Sequence, residues 1–139
     1  MDQSVVDPFV GTWTYRSFQN LLAPSLDFGA LRFGQGDLVI ESSTPGSFTG
    51  RLLFPGGGEM RLVGASSFGN PFAVRFQGRG ITEGIEDFLY DYLGFLVPNW
   101  PNGVAQVPAI VGSLVRTEPH SNGQAQPGFV ASLIAVKRE

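Results

Sequence analysis

Residues 85–97 set two phenols and a carboxylate, Tyr90, Asp91 and Tyr92, side by side in an apolar run. Side chains of an extended segment point alternately to its two faces. One face therefore carries Phe88, Tyr90, Tyr92 and Leu96, the other Leu89, Asp91, Leu93 and Phe95. Both faces are largely apolar, and periodicity does not say which turns inward. With Asp91 inside, among Leu89, Leu93 and Phe95, loss of hydration raises its pKa and equips it as a general acid or base. With the tyrosines inside, two hydroxyls join an apolar interior, a lining that suits a mainly apolar molecule oriented by a few hydrogen bonds. Asp91 and Tyr90 are thus the candidate catalytic residues.

Other chemistries find little support. The lone histidine, His120, sits in a loop rich in Ser, Asn, Gly, Gln and Pro and reads as a surface residue, which argues against a histidine metal site or a Ser-His-Asp triad. Glu83, Glu86, Asp87 and Asp91 lack the spacing and central glycine of a calcium loop and read as solvated carboxylates. Cysteine is absent, which removes disulfides, thiolate metal sites and cysteine nucleophiles together. Gly56-Gly57-Gly58 precedes a strand pattern and not a helix, so it is a turn and not a phosphate-binding loop. No metal and no cofactor are expected.

The elements that must position these residues are short strands. Nineteen glycines and ten prolines punctuate the chain between brief apolar stretches, the pattern of many strands joined by turns. Residues 11–18 alternate, with Trp13, Tyr15 and Ser17 opposite Thr12, Thr14 and Arg16. Residues 19–35 form a long, partly apolar connection expected to be a lid or to carry a short helix. Strands follow at 37–42, 48–54 and 60–66, the first two joined by a Thr44-Pro45-Gly46-Ser47 hairpin. In the next, Phe72, Val74 and Phe76 oppose Arg75, Gln77 and Arg79. The run at 85–97 is the sixth strand, and 107–117 and 129–136 complete eight. Eight consecutive strands without crossover helices predict an all-β, antiparallel up-and-down barrel occupying the whole chain, residues 1–139, since closure removes exposed edges. A Greek-key sandwich is the alternative.

The chain has 139 residues, 42% hydrophobic and 15% charged, with a net charge of −3. So little charge leaves apolar surface on the outside, and the last two strands are apolar on both faces; a homo-oligomer formed through residues 107–117 and 129–136 is expected. The basic residues are scattered, which argues against nucleic-acid partners. No run approaches the roughly 18 apolar residues of a membrane span, and residues 1–7 lack the basic and apolar regions of a signal peptide. A cytoplasmic protein is expected, although a leader already removed would leave no trace.

Gly11-Thr12-Trp13, opening the first strand of a presumed eight-stranded barrel, resembles the Gly-x-Trp signature of the calycins, the group of lipocalins, fatty-acid-binding proteins and avidins. The following hairpin into Phe48-Thr49-Gly50 looks avidin-like. The resemblance implies a tryptophan that closes one barrel end beneath a basic residue from a late strand, for which Arg116, Lys137 and Arg138 are candidates. Tyr90-Asp91-Tyr92 and Val115-Arg116-Thr117 are similar to the other two lipocalin signatures but lie in the wrong strands. Biotin recognition does not carry over, since Leu52 and Phe54 stand where avidins present polar groups and only two tryptophans are present.

Three functions remain. The first is binding of a small, mainly hydrophobic or aromatic molecule inside the barrel, lined by Tyr15, Leu52, Phe54, Phe76, Tyr90 and Tyr92 with Trp100 near the mouth. The second is a cofactor-independent cyclase or isomerase that folds an apolar substrate in the same interior. The third is a structural or oligomerising module whose barrel is filled by its own side chains.

Overall fold

A computed structural model describes residues 8–22, 25–44 and 46–138, without the side chains of 42–44. The termini and the central proline of the expected 44–47 turn lie outside the described residues. Eight strands close into one antiparallel up-and-down barrel. They are β1 (Gly11–Gln19), β2 (Arg32–Thr44), β3 (Ser47–Leu53), β4 (Glu59–Ser67), β5 (Ala73–Gly80), β6 (Leu89–Leu96), β7 (Ala109–Arg116) and β8 (Val130–Lys137). Each pairs with the next, and β8 returns to β1 in a register running from Trp13 opposite Lys137 to Gln19 opposite Ala131. Closure satisfies the backbone groups that an edge strand would leave open.

Alternation explains the interior. Trp13, Tyr15 and Ser17 of β1, Leu38 and Ile40 of β2, Phe48 and Leu52 of β3, Met60 and Leu62 of β4, and Val74 and Phe76 of β5 are all buried. Large rings are accommodated because several inward positions are glycine. A Cβ on Gly64 would lie 2.4 Å from the Phe76 Cβ, and one on Gly78 3.2 Å from the Tyr92 ring. Phe76 and Tyr92 stack at 4.6 Å between centroids, and Tyr15 and Phe48 meet this pair edge-on. Each such contact contributes about 0.5–1.5 kcal/mol beyond area burial.

Inward glycines of β2 likewise account for a misplaced boundary. The expected connection at 19–35 is shorter, because β2 begins at Arg32; Phe28–Leu31 forms a short 3-10 helix before it. Gly34 and Gly36 take inward positions where an apolar side chain would have announced a strand, and a Cβ on Gly36 would fall 2.4 Å from the Leu53 carbonyl oxygen. The connection does carry the expected short helix, whose Phe28 stacks on Phe18 at 4.5 Å.

The two barrel ends differ. At the end where β1 begins, Phe9 and Trp13 are fully buried, and the Trp13 Nε1–H donates to the Phe9 carbonyl at 3.0 Å. The Lys137 ammonium lies 5.3 Å from the center of the Trp13 ring. Gly11 permits this: its φ of +140° suits glycine, and a Cβ there would stand 2.6 Å from Lys137 Cε. Of the three basic candidates, Lys137 therefore covers the tryptophan. Arg138 instead pairs with Asp37 at 3.3 Å on the outer wall, where exposure leaves the pair worth little. Arg116 is at the other end.

Candidate functional site

At the end opposite Trp13 the interior is not filled. A cavity of about 250 Å³ opens there, walled by Tyr15 and Ser17 of β1, Phe33 of β2, Leu52 of β3, Met60 of β4, Tyr90 and Tyr92 of β6, and Leu114 and Arg116 of β7. Phe54, Phe88 and His120, from the connections at this end, complete it. The question that periodicity left open in β6 is thereby decided: Tyr90 and Tyr92 point inward and are buried. Asp91 points outward, where its carboxylate accepts a hydrogen bond from Gln77 Nε2 at 2.9 Å. An inward Asp91 is therefore corrected. The β5 register, which sets Phe76 opposite Tyr92 and Gln77 opposite Asp91, fixes both pairs on their own sides of the sheet.

Two of the expected lining residues are placed elsewhere. Phe76 is buried beneath the cavity floor, stacked on Tyr92, and supports the wall without bounding this cavity. Trp100 lies in the β6–β7 connection, which an up-and-down barrel carries at the Trp13 end, and it is 72% exposed. It is not at the mouth. Strand counting from β1 would have excluded it, because connections after even-numbered strands all lie at the end where β1 starts.

The polar corner of the cavity joins Tyr90, expected at the site, to Arg116 and His120, which the sequence pattern did not place there. Arg116 Nε donates to the Tyr90 hydroxyl at 2.9 Å, and that hydroxyl lies 2.8 Å from His120 Nε2. A guanidinium can only donate, so the Tyr90 oxygen accepts there, and its second bond joins it to the His120 ring. The other ring nitrogen, Nδ1, is hydrogen-bonded to Ser121 Oγ at 2.8 Å. The result is a continuous chain from a cation through a phenol to an imidazole.

His120 is not a surface residue: it is 7% exposed and stacks on Phe88 at 3.9 Å. The loop's own hydrogen bonding turns it inward. His120 and Ala125 exchange both backbone hydrogen bonds, at 3.0 and 3.1 Å, across a tight turn in which Ser121, Asn122 and Gly123 take positive φ. Asn and Gly tolerate that conformation, so Ser121-Asn122-Gly123 was the available signal for a folded hairpin in place of a loose polar loop. Arg116, 8% exposed, follows Ile110 and Leu114 in inward register on β7. A strand apolar on both faces hid that register.

Burial and charge act together on these groups. Loss of hydration raises the Tyr90 pKa above that of an ordinary phenol, while the Arg116 hydrogen bond and charge pull it back. Tyr15 and Tyr92 are held further into the neutral form, chiefly by burial. His120 is shifted down by burial and then by the Arg116 charge, against an opposing pull from Asp87. Ser17 is 1% exposed and borders the cavity, where its hydroxyl interacts with the Tyr15 phenol and offsets part of the burial effect there. Among the described residues no cluster of His, Asp and Glu suited to a metal ion occurs.

A larger groove of about 580 Å³ follows the outer wall past Val63, Arg75, Gln77, Asp91, Leu93 and Val115. It is a stretch of outer sheet whose carboxylate is already engaged by Gln77, so the cavity at the barrel end, lined by inward aromatic and polar groups, is the better candidate. No protein-family model, curated protein or solved structure matches the chain. No helix among the described residues is long and apolar enough to cross a membrane.

Proposed function

We propose that the protein is a calycin-like binding barrel that holds a small, mainly hydrophobic or aromatic molecule in the open end of its interior. The observation that carries this reading is the cavity of about 250 Å³ bounded by aromatic and aliphatic side chains with a few converging polar groups, the usual composition of a small-molecule site. Burial of ligand surface at roughly 25 cal/mol per Å² drives association. Tyr15, Leu52, Phe54, Tyr90 and Tyr92 supply contact, and the Tyr90 hydroxyl supplies direction. The Gly11-x-Trp13 pair beneath Lys137 supports the calycin-like assignment. The reading takes the protein as cytoplasmic.

The test is titration with an environment-sensitive hydrophobic dye, repeated on a Leu52→Trp variant of native circular dichroism. Saturable binding of one dye per chain, lost in the variant, is the expected result. A wild-type protein that gives no saturable signal overturns the reading.

A second reading, a cofactor-independent cyclase or isomerase, is favored by the hydrogen-bonded chain Arg116, Tyr90, His120. Such a chain lets the phenol give up a proton to a neutral imidazole while the guanidinium stabilizes the phenolate, or the reverse. Turnover lost in Tyr90→Phe with affinity for the same molecule retained distinguishes it from simple binding. Asp91, on the outer wall, is not part of that chain.

We further propose self-association through the outer faces of β7 and β8, where Val111, Val130, Ile134 and Val136 are partly exposed. Gel filtration of Val111→Lys should show a smaller species. An unchanged elution volume counts against this interface.

A further inference from the structure

Among the described residues, Arg116 is a buried cation without an ion-pair partner. Its guanidinium borders the cavity, is 92% removed from solvent by its 8% exposure, and uses two of its five N–H donors on protein: Nε on Tyr90 and Nη1 on the Gln126 carbonyl at 3.1 Å. Among the described residues no carboxylate pairs with it; the ion pair there is Arg138 with Asp37, on the outer wall. Glu83, Glu86 and Asp87, from the connection at this end, are exposed to solvent. The groups that do face it are neutral. His120 is held in its uncharged form, and the guanidinium carbon lies 4.9, 5.6 and 5.8 Å from the ring centers of Phe129, Tyr90 and Phe33.

Aromatic faces offset part of the cost of burying a cation but leave its planar fork of donors open. The Ser17 hydroxyl, buried beside the Tyr15 phenol, also borders the cavity. Cavity size and lining limit the remainder of the ligand. About 250 Å³ ringed by Phe33, Phe54, Phe88, Tyr90 and Tyr92 suits a flat body of one or two fused rings.

Resting on the reading of this cavity as a binding site, we infer that its ligand is a compact aryl carboxylate, with the carboxylate on the free donors of Arg116 and the flat body among the aromatic rings. A charge-assisted hydrogen bond is roughly twice as strong as a neutral one, so the charge of the ligand matters more than its shape.

The experiment is calorimetric titration of the full chain with 2-naphthoate and with 2-naphthamide, equal in shape and different in charge. The wild-type protein should bind the carboxylate about tenfold or more tightly than the amide. In Arg116→Gln of native circular dichroism the preference should disappear while amide affinity stays within about twofold. If Arg116→Gln does not fold, Arg116→Lys keeps the charge but not the planar fork, and the preference should fall several-fold. Equal wild-type affinities for the two probes overturn the carboxylate assignment and leave the binding cavity standing. Failure of both probes to bind overturns the cavity reading along with it. A preference that survives both substitutions removes Arg116 from the site.

Discussion

Tyr90 and Tyr92 sit two residues apart on one strand, both buried and both facing the interior, yet their hydroxyls are used very differently. Replacing each in turn by phenylalanine isolates the polar corner from everything else. Tyr90→Phe keeps the ring but strands the Arg116 Nε–H, 2.9 Å from the hydroxyl in the wild type, and His120 Nε2, 2.8 Å from it. A buried group left without its partner costs about 1–3 kcal/mol. Arg116 keeps its bond to Gln126, and His120 belongs to a loop, so the sum falls at roughly 2–4 kcal/mol. Tyr92→Phe removes only a long contact from the hydroxyl to Met60 Sδ at 3.9 Å, worth below about 0.5 kcal/mol. For a domain of this size the first variant should melt about 8–15 °C lower than wild type and the second within about 2 °C. Urea unfolding followed by circular dichroism, with slopes compared to confirm two-state behavior, provides the free energies. Equal losses in the two variants, or the larger loss in Tyr92→Phe, would refute the assignment of a structured hydrogen-bond chain to this corner.

Further consequences follow from the same geometry. All three tyrosines of the chain are buried with raised pKa values, so tyrosinate absorbance should stay silent above pH 10 and appear together with unfolding. A phenol kept neutral in the folded state makes the unfolded state lose its proton first, and stability therefore falls as pH rises beyond the ordinary phenol value; gradual titration of one tyrosine in the folded protein would contradict this. The single histidine should titrate by proton NMR with a midpoint below its ordinary value of 6.5. Between that midpoint and 6.5 the unfolded chain binds the extra proton, so the His120 contribution makes stability decline as pH drops through this window. A midpoint above 6.5 would place the imidazole in water or beside a carboxylate. Gly11→Ala should cost about 1–3 kcal/mol, since it forces an alanine to a φ favored by glycine and pushes Lys137 off Trp13. The change should be visible in the fluorescence of the buried tryptophan; unchanged stability and emission would remove Gly11 from the end closure.

The barrel was legible in the residues because its cause is local. Strict alternation in 11–18 and from Phe72 onward, with glycine and proline between apolar stretches, specifies short half-buried strands, and eight of them in succession leave closure as the way to avoid edges. Gly11-Thr12-Trp13 likewise marked the end that is sealed. The boundary of β2 escaped because glycine at inward positions erases the pattern that announces a strand, although those glycines are there to let Leu53 and Ser17 come close. The site depended on relations that no single segment contains. Which face of β6 turns inward is set by its register with β5 and β7, as Tyr92 falls opposite Phe76 and Leu114. Alternation alone is symmetric under exchange of faces, and both faces of 85–97 are apolar enough to be buried. His120 reads as a loop residue along the chain and becomes a buried partner of Tyr90 only when the 121–124 turn folds beside Phe88. Arg116 reads as one scattered basic residue and becomes an unpaired interior charge only when β7 is closed between β6 and β8. Sequence determined the strands and their number, since these rest on periodicity of two, and the Gly-x-Trp resemblance pointed to the closed end; tertiary structure alone decided where charge, phenol and imidazole meet, since that rests on contacts between residues about 26 and 30 positions apart.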